Sequence, residues 1–282
     1  MPSSIIRPLR WNQWLIKPLL AFCLLPTVAF AQAPAAAIIM LTGQVTALSS
    51  SGVVRQLAKG DPVFSGDLIN SGRGSYVNLR FADGGYFLLK PDTRFAIESF
   101  SVNKKTTAPA TPVAQAAPKV SPTTPAAATP AAPSQPALVI AQSTAKNVGS
   151  SAFFRLLKGG FRSVSGLVGK INRDEYRVAT PVATIGIRGT KYGADICEGA
   201  CADRAEINAR LQAAGLKTTG KETVLVTIVE EGEILVTSLT GERLQRPGHT
   251  LLTTENGDFV TTDEVPKSLQ MDLSIQPENC GN

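Results

Sequence analysis

The chain has 282 residues, with 28 Lys and Arg against 22 Asp and Glu, a single His and a mean hydropathy of +0.06. One histidine leaves little for triad or histidine-based metal chemistry, and no basic cluster interleaved with aromatics marks a nucleic-acid surface. The formal charge of +6 falls to +3 once the three basic residues of the first 31 are set aside, so no nucleic-acid partner is expected.

Taken in chain order, the first element is a leader. Arg7, Arg10 and Lys17 precede a largely apolar run from Leu19 to Val28, and Ala29-Phe30-Ala31 supplies an A-x-A cleavage pattern. Residues 1–31 read as a secretory signal peptide, with no integral membrane segment expected after its removal. The apolar run is shorter than the about 20 residues of a membrane span, and Pro18 and Pro26 interrupt it; an uncleaved anchor is the alternative. Bulky Phe22 before Cys23 does not suit lipoprotein processing. Trp11 and Trp14 both lie in this leader, so the mature chain has no tryptophan platform for sugars or bases.

From Ile38 to Phe100 short apolar runs alternate with turn pairs: Gly60-Asp61, Gly66-Asp67, Ser71-Gly72, Asp83-Gly84 and Pro91-Asp92. Turns this closely spaced predict many short strands in a sandwich, roll or solenoid. Tyr76–Phe81 alternates apolar and polar residues as a half-buried strand does, and Asp83-Gly84 predicts a hairpin into Tyr86–Leu89. The composition then changes. Between Thr106 and Ala137, 25 of 32 residues are Ala, Pro or Thr, and eight are proline. This stretch excludes helix and sheet and reads as a polyproline spacer, about 100 Å long if extended at about 3.1 Å per residue.

From Phe153 to Phe259 the strand pattern resumes. Val224–Val229 and Ile234–Thr237 flank Glu230-Glu231-Gly232-Glu233, which predicts a hairpin with a solvated acidic tip. Gly43-Gln44-Val45 and Gly232-Glu233-Ile234 echo each other, as repeated β-units would. One segment is helical instead. Asp203 to Ala214 has Asp203 as N-cap with Glu206 three residues on, Ile207, Leu211 and Ala214 on one face, and Gly215 as C-terminal cap.

Cys197 and Cys201 form a close pair, which outside the cytoplasm predicts a disulfide closing a very small loop. Cys280 is left over, as an unpaired thiol or an intermolecular link. His249, the only histidine, sits in the turn Arg246-Pro247-Gly248-His249-Thr250 entering a strand and is not expected to be catalytic, and no phosphate-loop, dinucleotide or metalloprotease motif is present. No catalytic residue, cofactor or metal is expected. In Gly186-Ile187-Arg188-Gly189-Thr190 two readings compete: backbone N–H groups and Arg188 around an anion, or glycines that permit a bulge while Arg188 meets an internal carboxylate or carbonyl. The second is preferred.

These motifs together resemble the FecR-domain family. The likeness lies in Gly60-Asp61 through Gly66-Asp67-Leu68-Ile69, Leu79-Arg80-Phe81-Ala82-Asp83-Gly84 and Leu89-Lys90-Pro91-Asp92-Thr93. It continues in Leu157-Lys158-Gly159-Gly160-Phe161-Arg162, Tyr176 to Pro181, and Ile187-Arg188-Gly189-Thr190. It covers about 40–102 and 152–260. The resemblance implies an all-β periplasmic domain of stacked short strands, engaged in sensing or protein interaction. Founding members relay iron-uptake signals from an outer-membrane receptor to a sigma factor; their cytoplasmic anti-sigma segment is replaced here by the leader.

The resulting expectation is an all-β fold with one short helical insertion at 202–215. Its domains are a signal peptide at 1–31, a first β-part at 32–102, the spacer at 103–150, a second β-part at 151–262 and a tail at 263–282. The expected function is a non-enzymatic interaction module in the periplasm of a Gram-negative bacterium, with another envelope or membrane protein as partner. A sensory accessory that relays a receptor's state is the alternative, and an envelope hydrolase the third reading. Secreted or signal-anchored placement is the alternative location.

Overall fold

Runs of β-branched and aromatic residues, broken by Gly-Asp and Asp-Gly pairs, form 17 strands in the computed structural model, which describes residues 32–103, 149–267 and 269–270. The expected signal peptide at 1–31, the stretch 106–137, Cys280 and the tail beyond 270 lie outside the described residues. The chain divides into Met1–Ala33 and Pro34–Asn282, and every strand belongs to the second unit. Strand accounts for 49% and helix for 11% of the described residues, so the class is all-β.

The first part contributes β1 (Ala36–Thr42), β2 (Val45–Leu48), β3 (Val54–Gln56), β4 (Pro62–Val63), β5 (Leu68–Ser71), β6 (Tyr76–Phe81), β7 (Tyr86–Leu89) and β8 (Arg94–Ser101). The second part begins with β9 (Ser151–Val164), α1 (Leu167–Ile171), a 3-10 turn at Arg173–Glu175, β10 (Tyr176–Ala179), β11 (Thr184–Ile187) and β12 (Lys191–Cys197). It continues with α2 (Arg204–Ala213), β13 (Val224–Glu231), β14 (Ile234–Ser238), β15 (Gly241–Gln245), β16 (Thr250–Thr254) and β17 (Phe259–Thr262).

The strands lie in two layers that share β9. Sheet A runs β4-β1-β6-β7-β9-β12-β13-β16-β17. Sheet B runs β3-β2-β5-β8-β9-β10-β11-β14-β15. The long β9 pairs through Lys158 with β8 in sheet B and from Gly159 with β12 in sheet A. Thus the two β-parts build one sandwich around a common strand. Ser101 pairs with Ser151, and the Asn103 N–H donates to Ser150 Oγ at 2.9 Å. The segment 104–148 therefore leaves and rejoins the fold at one place.

Aromatic side chains fill the space between the layers. Phe87 of sheet A lies 4.9 Å from Phe154 and 5.0 Å from Phe95 of sheet B, centroid to centroid. Each ring buried this way contributes about 1.5–3 kcal/mol, with more from edge-to-face geometry. A second, smaller core lies outside sheet A. There Ile207 and Leu211 of α2 pack on Val224, Val226 and Ile228 of β13 and Leu252 of β16. This cover explains why β13 reads as an almost unbroken apolar run: both of its faces are buried.

Several expectations hold and others need correction. The Tyr76–Phe81 and Tyr86–Leu89 hairpin forms, with Arg80 opposite Tyr86. The hairpin at 224–237 does not: β13 pairs with β12 and β16, and β14 with β11 and β15. Gly232, at φ +81, instead turns the chain from sheet A into sheet B, as Gly43 at φ +73 does between β1 and β2. The echoed tripeptides mark equivalent corners between layers.

The helix spans Arg204–Ala213 with Asp203 at the N-cap but no side-chain cap bond, and Glu206 pairs with Arg210 rather than closing a capping box. Ala214 is exposed, and Leu216 beyond Gly215 packs on the second core instead. The helix α1 was not expected. It arises because β9 and β10 are parallel, so the chain must cross back from sheet A to sheet B between them.

Candidate functional site

The motif residues Gly186, Arg188, Gly189 and Thr190 lie where β11 ends and the chain turns into β12. This turn packs against the β13–β14 corner. The Arg188 N–H donates to the Glu233 carbonyl at 3.1 Å, and Thr190 Oγ1 donates to the same oxygen at 2.8 Å. The Thr190 N–H donates to Ser165 Oγ at 2.8 Å, tying the corner to the end of β9. The Arg188 guanidinium meets Glu233 Oε1 at 3.3 Å, and Arg246 meets Oε2 at 3.3 Å. Gly189 has φ +68 and takes the left-handed turn. Arg188 is nevertheless exposed, so its carboxylate partner is a surface one.

Gly186 behaves differently from the bulge expected of it. It pairs in unbroken register with Arg177 on one side and Leu235 on the other. Its side-chain direction is outward, because Ile185 and Ile187 on either side are buried in the core. Gly186 lines a slot of about 390 Å³ on the outer face of sheet B. Arg177 forms one wall and Leu235 the other. The 3-10 turn supplies Arg173 and Asp174, and Arg188 and Glu242 stand nearby. Arg177 is oriented by its Nε bond to the Asp174 carbonyl at 3.1 Å, and its guanidinium lies 5.9 Å from the Phe153 ring centroid. Sequence reading picked out Gly186 and Arg188 but missed Arg173, Arg177 and Leu235. Their signal was available only through strand register, which puts Arg177 beside Gly186.

The acidic run at 230–233 is a set of ion pairs rather than a solvated hairpin tip. Glu230 forms a two-bond pair with Arg162, whose side chain is only 3% exposed, and Glu231 meets Lys191 at 3.7 Å. His249 lies at the surface with Nδ1 2.8 Å from Asp263 Oδ1. Among the described residues no group of three or more His, Cys, Asp and Glu could hold a metal ion, and no helix is long and apolar enough to cross a membrane.

Cys197 and Cys201 are bonded, and they line a second cavity of about 500 Å³ beside the Lys90–Asp195 ion pair and Leu269. Elsewhere, Asp83 of the β6–β7 turn accepts from the Gly85 and Val168 N–H groups, at 3.0 and 3.2 Å. Burial raises its carboxyl above the ordinary value, against the pull of those two bonds. Burial likewise pushes the Tyr176 and Tyr192 phenols up, so both stay protonated inside the sandwich.

No family model matches the chain, and neither does any curated protein. Among solved structures, two of a candidate anti-sigma factor from Parabacteroides distasonis are similar. One is 12% identical, covering 73% of this chain and 64% of its own, at a TM-score of 0.39. The other is 11% identical, covering 73% and 63%, also at 0.39. A cell surface anchoring domain is 32% identical over 22% of this chain and 82% of its own, at a TM-score of 0.22. This chain therefore spans a little under two thirds of the anti-sigma-factor neighbours. Likenesses at these scores assign no family and no function.

Proposed function

We propose that this chain is a non-enzymatic, FecR-like interaction module of the Gram-negative cell envelope, which works in the periplasm and binds another envelope or membrane protein through the edges of sheet B. The FecR likeness rests on the motifs alone. The leader-like start and the Cys197–Cys201 bond support export, since such a bond persists in an oxidising compartment.

The observation that carries the binding reading is where apolar side chains are left in water. Among the described residues five large ones are exposed: Val53, Val54, Ile171, Leu239 and Leu244. Four of them sit at the two edges of one sheet. Val54 of β3 is 65% exposed and Val53, just before it, 61%; Leu244 of β15 is 39% exposed and Leu239, in the β14–β15 turn, 81%. Among the described residues β3 pairs only with β2, and β15 only with β14. Each edge thus offers open backbone hydrogen-bonding groups beside apolar side chains, the combination that strand addition uses. Arg243 on β15 pairs in register with buried Val236 but is itself exposed, with its guanidinium 5.6 Å from the Phe259 ring centroid. A charge on an edge strand discourages indiscriminate pairing.

Photo-crosslinking side chains placed at Val54, at Leu244 and at Thr261 on the sheet A edge test this in intact cells. Adducts with one defined envelope protein are expected from Val54 or Leu244, and not from Thr261. They are expected to vanish when the same edge also carries a charge beside the probe, Val53→Lys with the probe at Val54 or Leu239→Lys with the probe at Leu244. Position-independent adducts, or none from either sheet B edge, refute the proposal.

A further inference from the structure

Gly186 has none of the usual structural reasons to be glycine. Its backbone is not in the left-handed region, its register is unbroken, and an added Cβ would meet nothing closer than the Leu235 carbonyl oxygen at 3.9 Å. A glycine inside a strand gives up both packing and chain stiffness, and its recurrent use there is to let something else approach the backbone. Here it lines the slot on the outer face of sheet B.

We propose that this slot is a binding site for a small branched aliphatic monocarboxylate. Arg177 is already held by Asp174 and Phe153 through Nε and its flat face, and among the described residues no hydrogen bond uses its two Nη groups. A guanidinium fixed in this way presents a fork that matches a carboxylate. Arg173 and Arg188 add to the positive field at the same mouth. Across the floor, half-buried Leu235 offers an apolar wall, continued by Leu244 in the next strand.

The charge balance selects the ligand class. Arg173, Arg177 and Arg188 of the lining, with Arg246 beside them, stand against Asp174, Glu242 and the Glu233 that Arg188 and Arg246 share, so four positive and three negative charges leave one net positive charge. That suits a monoanion. A phosphate dianion would stand against the carboxylates of Asp174 and Glu242. The volume of about 390 Å³ is at the small end for ligand sites, as a short carbon chain requires. Because the slot lies on a sheet face rather than at an edge, this proposal stands or falls apart from any partner protein.

Calorimetric titration of the full chain with 4-methylpentanoate tests it, with 4-methylpentanamide as the uncharged control. Binding of the acid and not of the amide is expected. Gly186→Val, which narrows the slot with a good strand former, and Arg177→Gln, which removes the charged fork, should each weaken binding by about tenfold or more. Neither should lower the melting temperature. No binding of the acid, equal binding of the amide, or unchanged affinity in Gly186→Val overturns the proposal. So does a peptide ending in leucine that binds tenfold tighter than the free acid, since it would assign the slot to a peptide terminus.

Discussion

Glycine to alanine is expected to act with opposite signs at Gly186 and Gly232. At Gly232 the backbone has φ +81, and a Cβ would sit 2.3 Å from the Gly189 carbonyl oxygen and 3.2 Å from the Thr190 Cα. The left-handed conformation costs an L-residue about 1–2 kcal/mol. Both obstructing atoms belong to backbone fixed in the β11–β12 turn, so crowding adds about 1–3 kcal/mol. Gly232→Ala should therefore lose about 3 kcal/mol. At Gly186 the nearest atom is 3.9 Å away and φ is ordinary, so alanine only restricts the unfolded chain. That is a gain of about 0.4–1 kcal/mol. Urea unfolding followed by far-UV circular dichroism separates the two. In melting temperature the changes correspond to a fall of roughly 6–12 °C and a rise of roughly 1–4 °C. A Gly186→Ala variant as damaged as Gly232→Ala would show that Gly186 serves packing after all, and would remove the basis for the open slot. A neutral Gly232→Ala would refute the account of the corner.

Three further outcomes follow from the described contacts. Arg162→Ala strands the Glu230 carboxylate and should cost about 3–5 kcal/mol, while Arg162→Met with Glu230→Leu should recover most of it; a double mutant no better than the single would contradict this. Asp83 binds its proton more tightly folded than unfolded, so its contribution is greatest below the ordinary carboxylate range and is lost as pH rises through the raised value. The stability of the native protein relative to Asp83→Asn should accordingly fall as the pH rises from the ordinary carboxylate range through the raised value in chemical denaturation, and a flat or rising difference would rule it out. Reducing the Cys197–Cys201 bond, which joins residues four apart, should lower stability by about 2 kcal/mol or less. The loss should appear in hydrogen exchange at α2 before the shared strand β9; simultaneous loss in both would show that the helix is not a satellite of the sandwich.

Much of the fold was legible because strand and turn chemistry are local. The β6–β7 hairpin follows from period-2 alternation around Asp83-Gly84, and α2 from its helical spacing and Gly215. The errors share one cause. Glu230 to Glu233 has the composition of a hairpin tip, and composition does not say whether two strands fold back on each other or step to the next layer. That step is decided by what Gly232 touches, the Gly189 carbonyl more than 40 positions away. Helix α1 was missed for a similar reason, since the need for a crossover appears only once β9 and β10 are known to be parallel.

By itself the sequence determined an all-β chain with turn-spaced short strands, a helical insertion beside a cysteine pair, and a conspicuous Gly186–Thr190 motif. Only the tertiary structure decided how that motif divides. Gly189 and Thr190 lock a corner between the layers, while Gly186 lines a slot between Arg177 and Leu235. The physical reason is that a glycine's role depends on what surrounds its missing side chain. At Gly232 and Gly189 backbone geometry requires the glycine, whereas at Gly186 empty space shows that it does not.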